Sequence, residues 1–513
     1  MAKDFKMTVG SHFVRLTEFT QRGKQAVVSF SQRFIEYGLR PAGRGQFARE
    51  ATRVFRGRTE DHQEYRFHRH NLTEFLEFIK HHQITKDYYT EEILPPYPEA
   101  PVELVVQDGW EDYDYQIPAI AFIQMPGLVN RLLKLGTGKG KSYCMCRAIG
   151  EKGVRSIFII RPSFIEKWLI DIRRVFHVTV DDVFVIKKAS ELKSVISRAL
   201  AGEEFTFKIM LISNVLIQNW IKEYEKYRDG ISLLGWDCAP HELYQVLKIG
   251  FRVVDEVHMD FHRNFKIDLH THVNHAASMS ATLESDDPFR NRMYEVAYPR
   301  TGHHGDGSID KYIIAIGLLY EIRDPEKIVK AVSRNGMYSH FPFEEQILKD
   351  KRLTKAFLQM TMDMVDAYYL EEDYYKSGDK CVVYVSSIDM ADYLTAQYKA
   401  KYYEYDVRRY VENDPYENLM DGDIVITNLQ KAGTNVDIPR LTTVCMWTAV
   451  DSRQSNIQGA GRLRALKDGR QPRFVWGSCI NIPKHMEYHG RKMGLLKNRT
   501  GSLRDMRYNR TIG

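Results

Sequence analysis

At 513 residues the chain is too long for one ordinary core, and its 43% hydrophobic and 27% charged side chains exclude a disordered polypeptide, so about three domains are expected. The net charge of +6 is mild but unevenly spread, with arginines crowding residues 33–69 and basic residues crowding 491–510. That pattern favours contact with polyanions over a merely solvated basic face. No run approaches the roughly 20 apolar residues needed to span a bilayer and no apolar signal segment opens the chain, so a cytoplasmic protein without a membrane partner is expected. The six cysteines show no paired metal spacing, and Cys144 and Cys146 read as small core residues.

Residues 1–95 mix β-like runs at 14–19 and 26–30 with a helix over 71–82. That helix opens at Asn71 with Glu74 three residues on, and Leu72, Phe75, Leu76 and Phe78 share one face. Before it, arginines including Arg44, Arg53, Arg56 and Arg58 alternate with Phe47, Phe55, Tyr65 and Phe67. A small α+β accessory domain is expected, with those four arginines on nucleic acid and with Phe55 and Phe67 in its core. The proline-rich stretch 94–101 reads as a stiff connector.

From 102 to 300, apolar runs at 156–160, 208–212 and 251–254 alternate with helical patterns, each ending where a polar motif begins. This is the pattern of a doubly wound parallel sheet, whose ligands sit at the carboxyl ends of the strands. Glycines and polar residues over 301–308 suggest a hinge. Runs at 381–385, 423–427 and 443–447 predict a second α/β lobe over 309–480, leaving 481–513 as a basic tail.

A phosphate cradle needs glycines that let backbone N–H groups face inward, a lysine for the β/γ-phosphates, and a hydroxyl for magnesium. Gly136, Thr137, Gly138, Lys139, Gly140, Lys141 and Ser142 supply that series, with Leu135 where the strict pattern has glycine. Asp255 and Glu256 follow a buried-strand run, so both carboxylates should emerge at a strand end. Asp255 is assigned to the metal beside Ser142, and Glu256 to taking a proton from the attacking water. Ser280 and Thr282 offer hydroxyls, with His258 placed to bond one of them and report nucleotide state. Gln458, Arg462 and Arg464 follow late in the chain, where an arginine would stabilise charge on the transferred phosphoryl group.

Together these motifs resemble superfamily 2 helicases over residues 110–470. Tyr115 and Gln116 look like the adenine-reading motif, and Arg161, Pro162 and Ser163 like motif Ia. Ser213 and Asn214 look like the next nucleic-acid contact, and residues 255–258 form a DExH box. Thr427 through Gly433 and Asn435 look like motif V, and Gln458 to Arg464 like motif VI. The resemblance implies two tandem RecA-like lobes, with ATP and Mg2+ in the cleft and a strand across both. Asn435 stands where many relatives have Asp, and the shortened arginine motif leaves Arg462 and Arg464 both open as the finger. The basic α+β extension is similar to that of phage-encoded UvsW-type recombination helicases. The expectation is therefore a monomeric, ATP-dependent DNA helicase or translocase acting on duplex, single-stranded or branched DNA. An RNA helicase, or a remodelling factor that moves along duplex without separating strands, is the alternative.

Overall fold

A computed structural model describes residues 3–41, 47–125, 130–136, 139–280, 283, 285, 287–305, 311–326, 328–329, 338–432 and 438–513. The chain divides into two compact units, Met1–Gly307 and Ser308–Gly513. The division falls within the glycine-rich stretch that the sequence marks as a hinge.

The first unit opens with β1 (Phe5–Val9), β2 (Phe13–Thr17), the hairpin β3 (Glu36–Pro41) and β4 (Phe47–Thr52), β5 (Gly57–Arg58), β6 (Tyr65–His68) and β7 (Tyr89–Ile93). Five of these form a sheet in the order β5-β6-β2-β1-β7, with β1 and β7 parallel and the other pairs antiparallel. The run 26–30, read as a strand, lies instead in the helix Gln21–Ser31. Thr20 caps that helix by accepting from Gly23 N, and Gly23, Ala26, Val27 and Phe30 fall on its buried face at helical spacing. The apolar cluster alone looked β-like; the upstream cap decides. The second helix is Leu72–His81, and the Asn71 amide donates to Glu74 Oε2 at 3.2 Å rather than capping the backbone.

Next come β8 (Arg131–Leu133), β9 (Ser156–Ile160), β10 (Val183–Ile186), β11 (Ile209–Ser213), β12 (Phe251–Val254), β13 (His275–Met279) and β14 (His303–His304). They form a seven-stranded sheet, order β10-β11-β9-β12-β13-β8-β14, in which every pair is parallel. Buried on both faces, its central strands are continuous apolar runs, which is why the sequence locates β9 and β12 residue for residue.

The expected accessory domain is not free-standing. Phe5, Val14, Phe30, Phe55, Phe67 and Phe75 share one apolar cluster with Val254, Val257, Phe261, Phe265 and Tyr294. Phe55 and Phe67 are core residues, as expected.

The second unit contains β15 (Ile314–Tyr320), β16 (Lys380–Val385), β17 (Val407–Tyr410), β18 (Ile424–Asn428), β19 (Leu441–Met446), β20 (Arg473–Cys479) and β21 (Ser502–Arg507). This sheet is also seven-stranded and wholly parallel, in the order β17-β18-β16-β19-β20-β15-β21. The expected basic tail is thus structural. Pro483–Leu496 is a helix, and β21 pairs along β15 as the sheet's edge. Its charges disguise it: His485, His489 and Lys492 of the helix are buried. The tyrosine-rich stretch 368–375 is likewise internal, with Tyr369 OH donating to Asp379 O at 2.6 Å and Tyr374 OH to Gln471 O at 3.0 Å. All six cysteines are free, and no described helix is long and apolar enough to cross a membrane.

Candidate nucleotide-binding site

In the first unit the assigned nucleotide residues gather at the carboxyl ends of β8 and β12, as a parallel sheet dictates. Gly140, at φ 74°, occupies the left-handed region and starts the helix Lys141–Lys152. A Cβ there would lie 2.4 Å from Gln116 Nε2, so glycine also makes room for the glutamine. Gln116 is buried, donates to Lys139 O at 3.3 Å and accepts from Tyr113 N at 3.0 Å. It therefore ties the segment before the helix Ile117–Gln124 to the end of the candidate phosphate loop. Asp112 strengthens the tie by accepting from Tyr143 OH at 2.7 Å and pairing with Arg147 at 3.1 Å. Tyr115 is exposed and stacks on Tyr113, 5.6 Å between ring centroids, with Lys139 Nζ over its face at 5.2 Å. Lys141 Nζ reaches back to Leu135 O at 3.0 Å and Gly136 O at 3.4 Å.

Asp255 and Glu256 leave β12 buried. Asp255 Oδ2 accepts from Trp168 Nε1 at 2.9 Å, and Oδ1 from Glu256 N at 2.9 Å. Burial raises the Asp255 carboxyl above the usual range, against the opposing pull of Lys167. Glu256 has φ 43°, a left-handed conformation costly for a residue with a side chain and typical of residues held for function. His258 Nδ1 lies 2.6 Å from Ser280 Oγ and 3.3 Å from Glu256 Oε2, so the hydroxyl contact expected from the sequence is made by Ser280. Burial pulls the His258 imidazole down to about 4, with Lys141 and Arg161 pushing the same way, so it is neutral at pH 7.

Two features of this site were not read from the sequence. Lys167, on the helix Ile165–Val175, brings Nζ to 3.3 Å from Ser142 Oγ and 3.8 Å from Asp255 Oδ2. Burial would lower this ammonium, but Asp255, Asp171 and Glu256 outweigh it and hold it charged. Asp260, just past the acidic pair, gathers Arg161 at 2.8 Å, Arg263 at 3.3 Å and the Asn214 amide at 3.2 Å. The signal for both was position: Lys167 lies one helical turn past Ser163, and Asp260 starts the helix Phe261–Asp268.

Several expected nucleic-acid contacts have other partners. Asn214 is buried in the Asp260 network, and Ser213 Oγ caps the helix Asn214–Tyr227 by accepting from Val215 N at 3.1 Å. Thr427 is buried in β18, and its hydroxyl donates to Tyr410 O at 2.5 Å. Arg56, next to the buried Phe55, is itself buried and donates to Ser31 Oγ at 2.7 Å. Pro162, Ser163 and Arg53 are exposed and Arg58 is half-buried. In the second unit Arg462 and Arg464 lie beyond the end of the helix Arg453–Ala460; Arg462 is buried, and Arg464 donates to Leu463 O at 3.2 Å. Arg44, Thr137, Gly138, Thr282, Gly433 and Asn435 lie outside the described residues, as does the side chain of Gln458.

No protein-family model matches the chain, and no curated protein matches it. Among solved structures it is similar to a point variant of S. cerevisiae Dbp5 bound to RNA and ADP BeF3, with TM-score 0.50, 10% identity, and 78% of this chain and 90% of that one covered. S. cerevisiae Dbp5 itself, bound to RNA and ADP BeF3, gives 0.49 at 10% identity over 78% and 90%. At that identity the likeness concerns architecture. The chain has the tandem RecA-like fold, two parallel α/β sheets in series, preceded here by a small α+β layer.

Proposed function

We propose that the protein is an ATP-dependent nucleic-acid helicase or translocase, acting on DNA. The observation that carries this reading is the meeting of Lys141, Ser142, Asp255 and Glu256 at the carboxyl ends of one sheet's strands, with Gly140 shaped as a phosphate loop requires. Lys141 and the loop backbone hold the phosphates, and Tyr115 offers a face on which an adenine can stack. Ser142 and Asp255 are hard oxygen donors that share one cationic neighbour, a set that suits Mg2+. Bound there, the ion neutralises charge on the phosphate oxygens. Glu256 accepts a proton from water, and an arginine of the second unit, Arg462 or Arg464, is assigned to the transferred phosphoryl group. The His258–Ser280 bond is the proposed link between hydrolysis and the bound strand.

Contacts to that strand are assigned to Pro162, Ser163, Arg53 and Arg58, phosphate-directed and therefore salt-sensitive and largely sequence-independent. Dbp5, which shares the fold, was solved on RNA, and this makes an RNA helicase the second reading. Lys141→Ala and Glu256→Gln should each lower polymer-stimulated ATP turnover by about 10²-fold or more while leaving nucleic-acid binding largely intact. Unchanged turnover in either removes the assignment. Comparing stimulation by single-stranded, duplex and branched DNA and RNA separates the polymers. Because the N-terminal layer shares its core with β12, its role in binding is tested by Arg53→Glu with Arg58→Glu instead of by deletion.

A further inference from the structure

One side chain already places a positive charge where the proposed metal-binding oxygens meet. Lys167 Nζ is 3.3 Å from Ser142 Oγ, 3.8 Å from Asp255 Oδ2 and 3.6 Å from Asp171 Oδ2. The helix Ile165–Val175 sets this up with adjacent residues. Trp168, fully buried, donates to the same Asp255 oxygen at 2.9 Å. Asp171, one turn beyond Lys167, also hydrogen-bonds Ser142. The helix thus delivers an ammonium to the oxygens and, four residues on, a second carboxylate that already shares it and can keep it.

A buried carboxylate needs a compensating charge. Asp255 has one before any ion arrives, and a divalent ion competing for Ser142 and Asp255 would meet an ammonium within a few ångströms. We propose that Lys167 is a resident counter-ion that bridges Ser142, Asp255 and Asp171 in the nucleotide-free protein, and that it lets go of Ser142 and Asp255 and keeps only Asp171 when Mg2+ enters with the triphosphate. The proposal rests on the nucleotide-site reading above. Lys167 is a positioning residue: it acts through Ser142 and Asp255. The metal alone must displace a cation from these oxygens. A metal arriving with phosphates brings compensating negative charge, so the exchange becomes favourable only with nucleotide. The consequence is a site that stays free of metal until ATP arrives.

The test is Mn2+ binding to the full-length, nucleotide-free protein, read by the loss of the free-ion electron paramagnetic resonance signal. Wild type should bind Mn2+ weakly at this site, Lys167→Gln about tenfold or more tightly, and the charge-retaining Lys167→Arg like wild type. Equal Mn2+ affinity in wild type and Lys167→Gln overturns the proposal. Asp171→Asn gives an independent reading. With the carboxylate that keeps the ammonium gone, the Mg2+ concentration that half-saturates binding of a fluorescent ATP analogue should rise several-fold, and an unchanged value also overturns it. A wild-type protein that fails to bind the analogue with Mg2+ sinks the nucleotide-site reading itself. A wild type that binds it, beside unaltered Mn2+ binding in Lys167→Gln, sinks only the counter-ion.

Discussion

Gly140→Ala is the sharpest probe of how the loop proposed to hold phosphate is built. At φ 74° and ψ 34°, an alanine would sit in the left-handed region at a cost of about 1–2 kcal/mol. Its Cβ would also press on Gln116 Nε2, 2.4 Å away. Gln116 is buried, so yielding means giving up its bonds to Lys139 O and from Tyr113 N, each worth about 1 kcal/mol. The sum is about 3–4 kcal/mol, of which about 2 kcal/mol passes through Gln116. Urea unfolding of the full chain should show that loss. In a Gln116→Ala background the same glycine change should cost only the backbone share of about 1–2 kcal/mol. Fluorescent ATP-analogue affinity should fall with the single change, because the loop end is displaced. A total loss below about 1 kcal/mol, or strict additivity of the two substitutions, would refute the account of Gly140 as the space into which Gln116 locks.

Acid should destabilise the first unit before the carboxylates protonate. His12, His68, His241 and His270 are buried, and burial, reinforced by Arg252 or Arg66 among their neighbours, holds all four well below the ordinary histidine range. With folded values depressed, the unfolded chain takes up protons first, so stability is present above about pH 6.5 and falls as pH drops below it, by about 1.4 kcal/mol per histidine at pH 5.5. A melting temperature for this unit that stays flat from pH 7.5 to 5.5 would contradict that burial. Deleting residues 498–513 removes β21 from the edge of the second sheet and Ile512 from its core, so the second unit should become far more sensitive to limited proteolysis while the first keeps its resistance. Unchanged resistance would return these residues to the status of a tail.

What the sequence disclosed follows the physics of burial. Strands buried on both faces are apolar runs, so β9, β12 and their counterparts in the second unit stand out, and the polar motif following each marks a strand's carboxyl end. The position of the acidic pair at the end of β12 and the His258–Ser280 contact were legible because each combines an unusual residue type with a strand exit. Charge misled where it was internal. Arg56, Arg66 and Lys492 look like solvated basic residues in a string of letters, yet all three are buried. Arg66 is paired with Glu64 at 2.6 Å, two residues away, a partner hidden among basic neighbours. Thr427 and Asn214 matched motif positions, but strand register and the Asp260 network decide where their polar atoms point. Lys167 was missed because Ser142 and Asp255 lie 25 and 88 residues away, a closeness that only the folded sheet creates.

Val257 sits between the carboxylate proposed to accept a proton and the imidazole that contacts Ser280, and its side chain belongs to the apolar cluster built by Phe5, Phe30 and Phe67. The N-terminal layer therefore grips the backbone of the acidic loop from behind. Val254, Phe261 and Phe265 join Val257 in that cluster, so the backbone on both sides of Glu256 and His258 is packed against the N-terminal layer. A substitution in that shared core, at Phe5 or Phe30, is therefore expected to shift the backbone of Glu256 and His258 while leaving the residues proposed to hold the nucleotide unchanged.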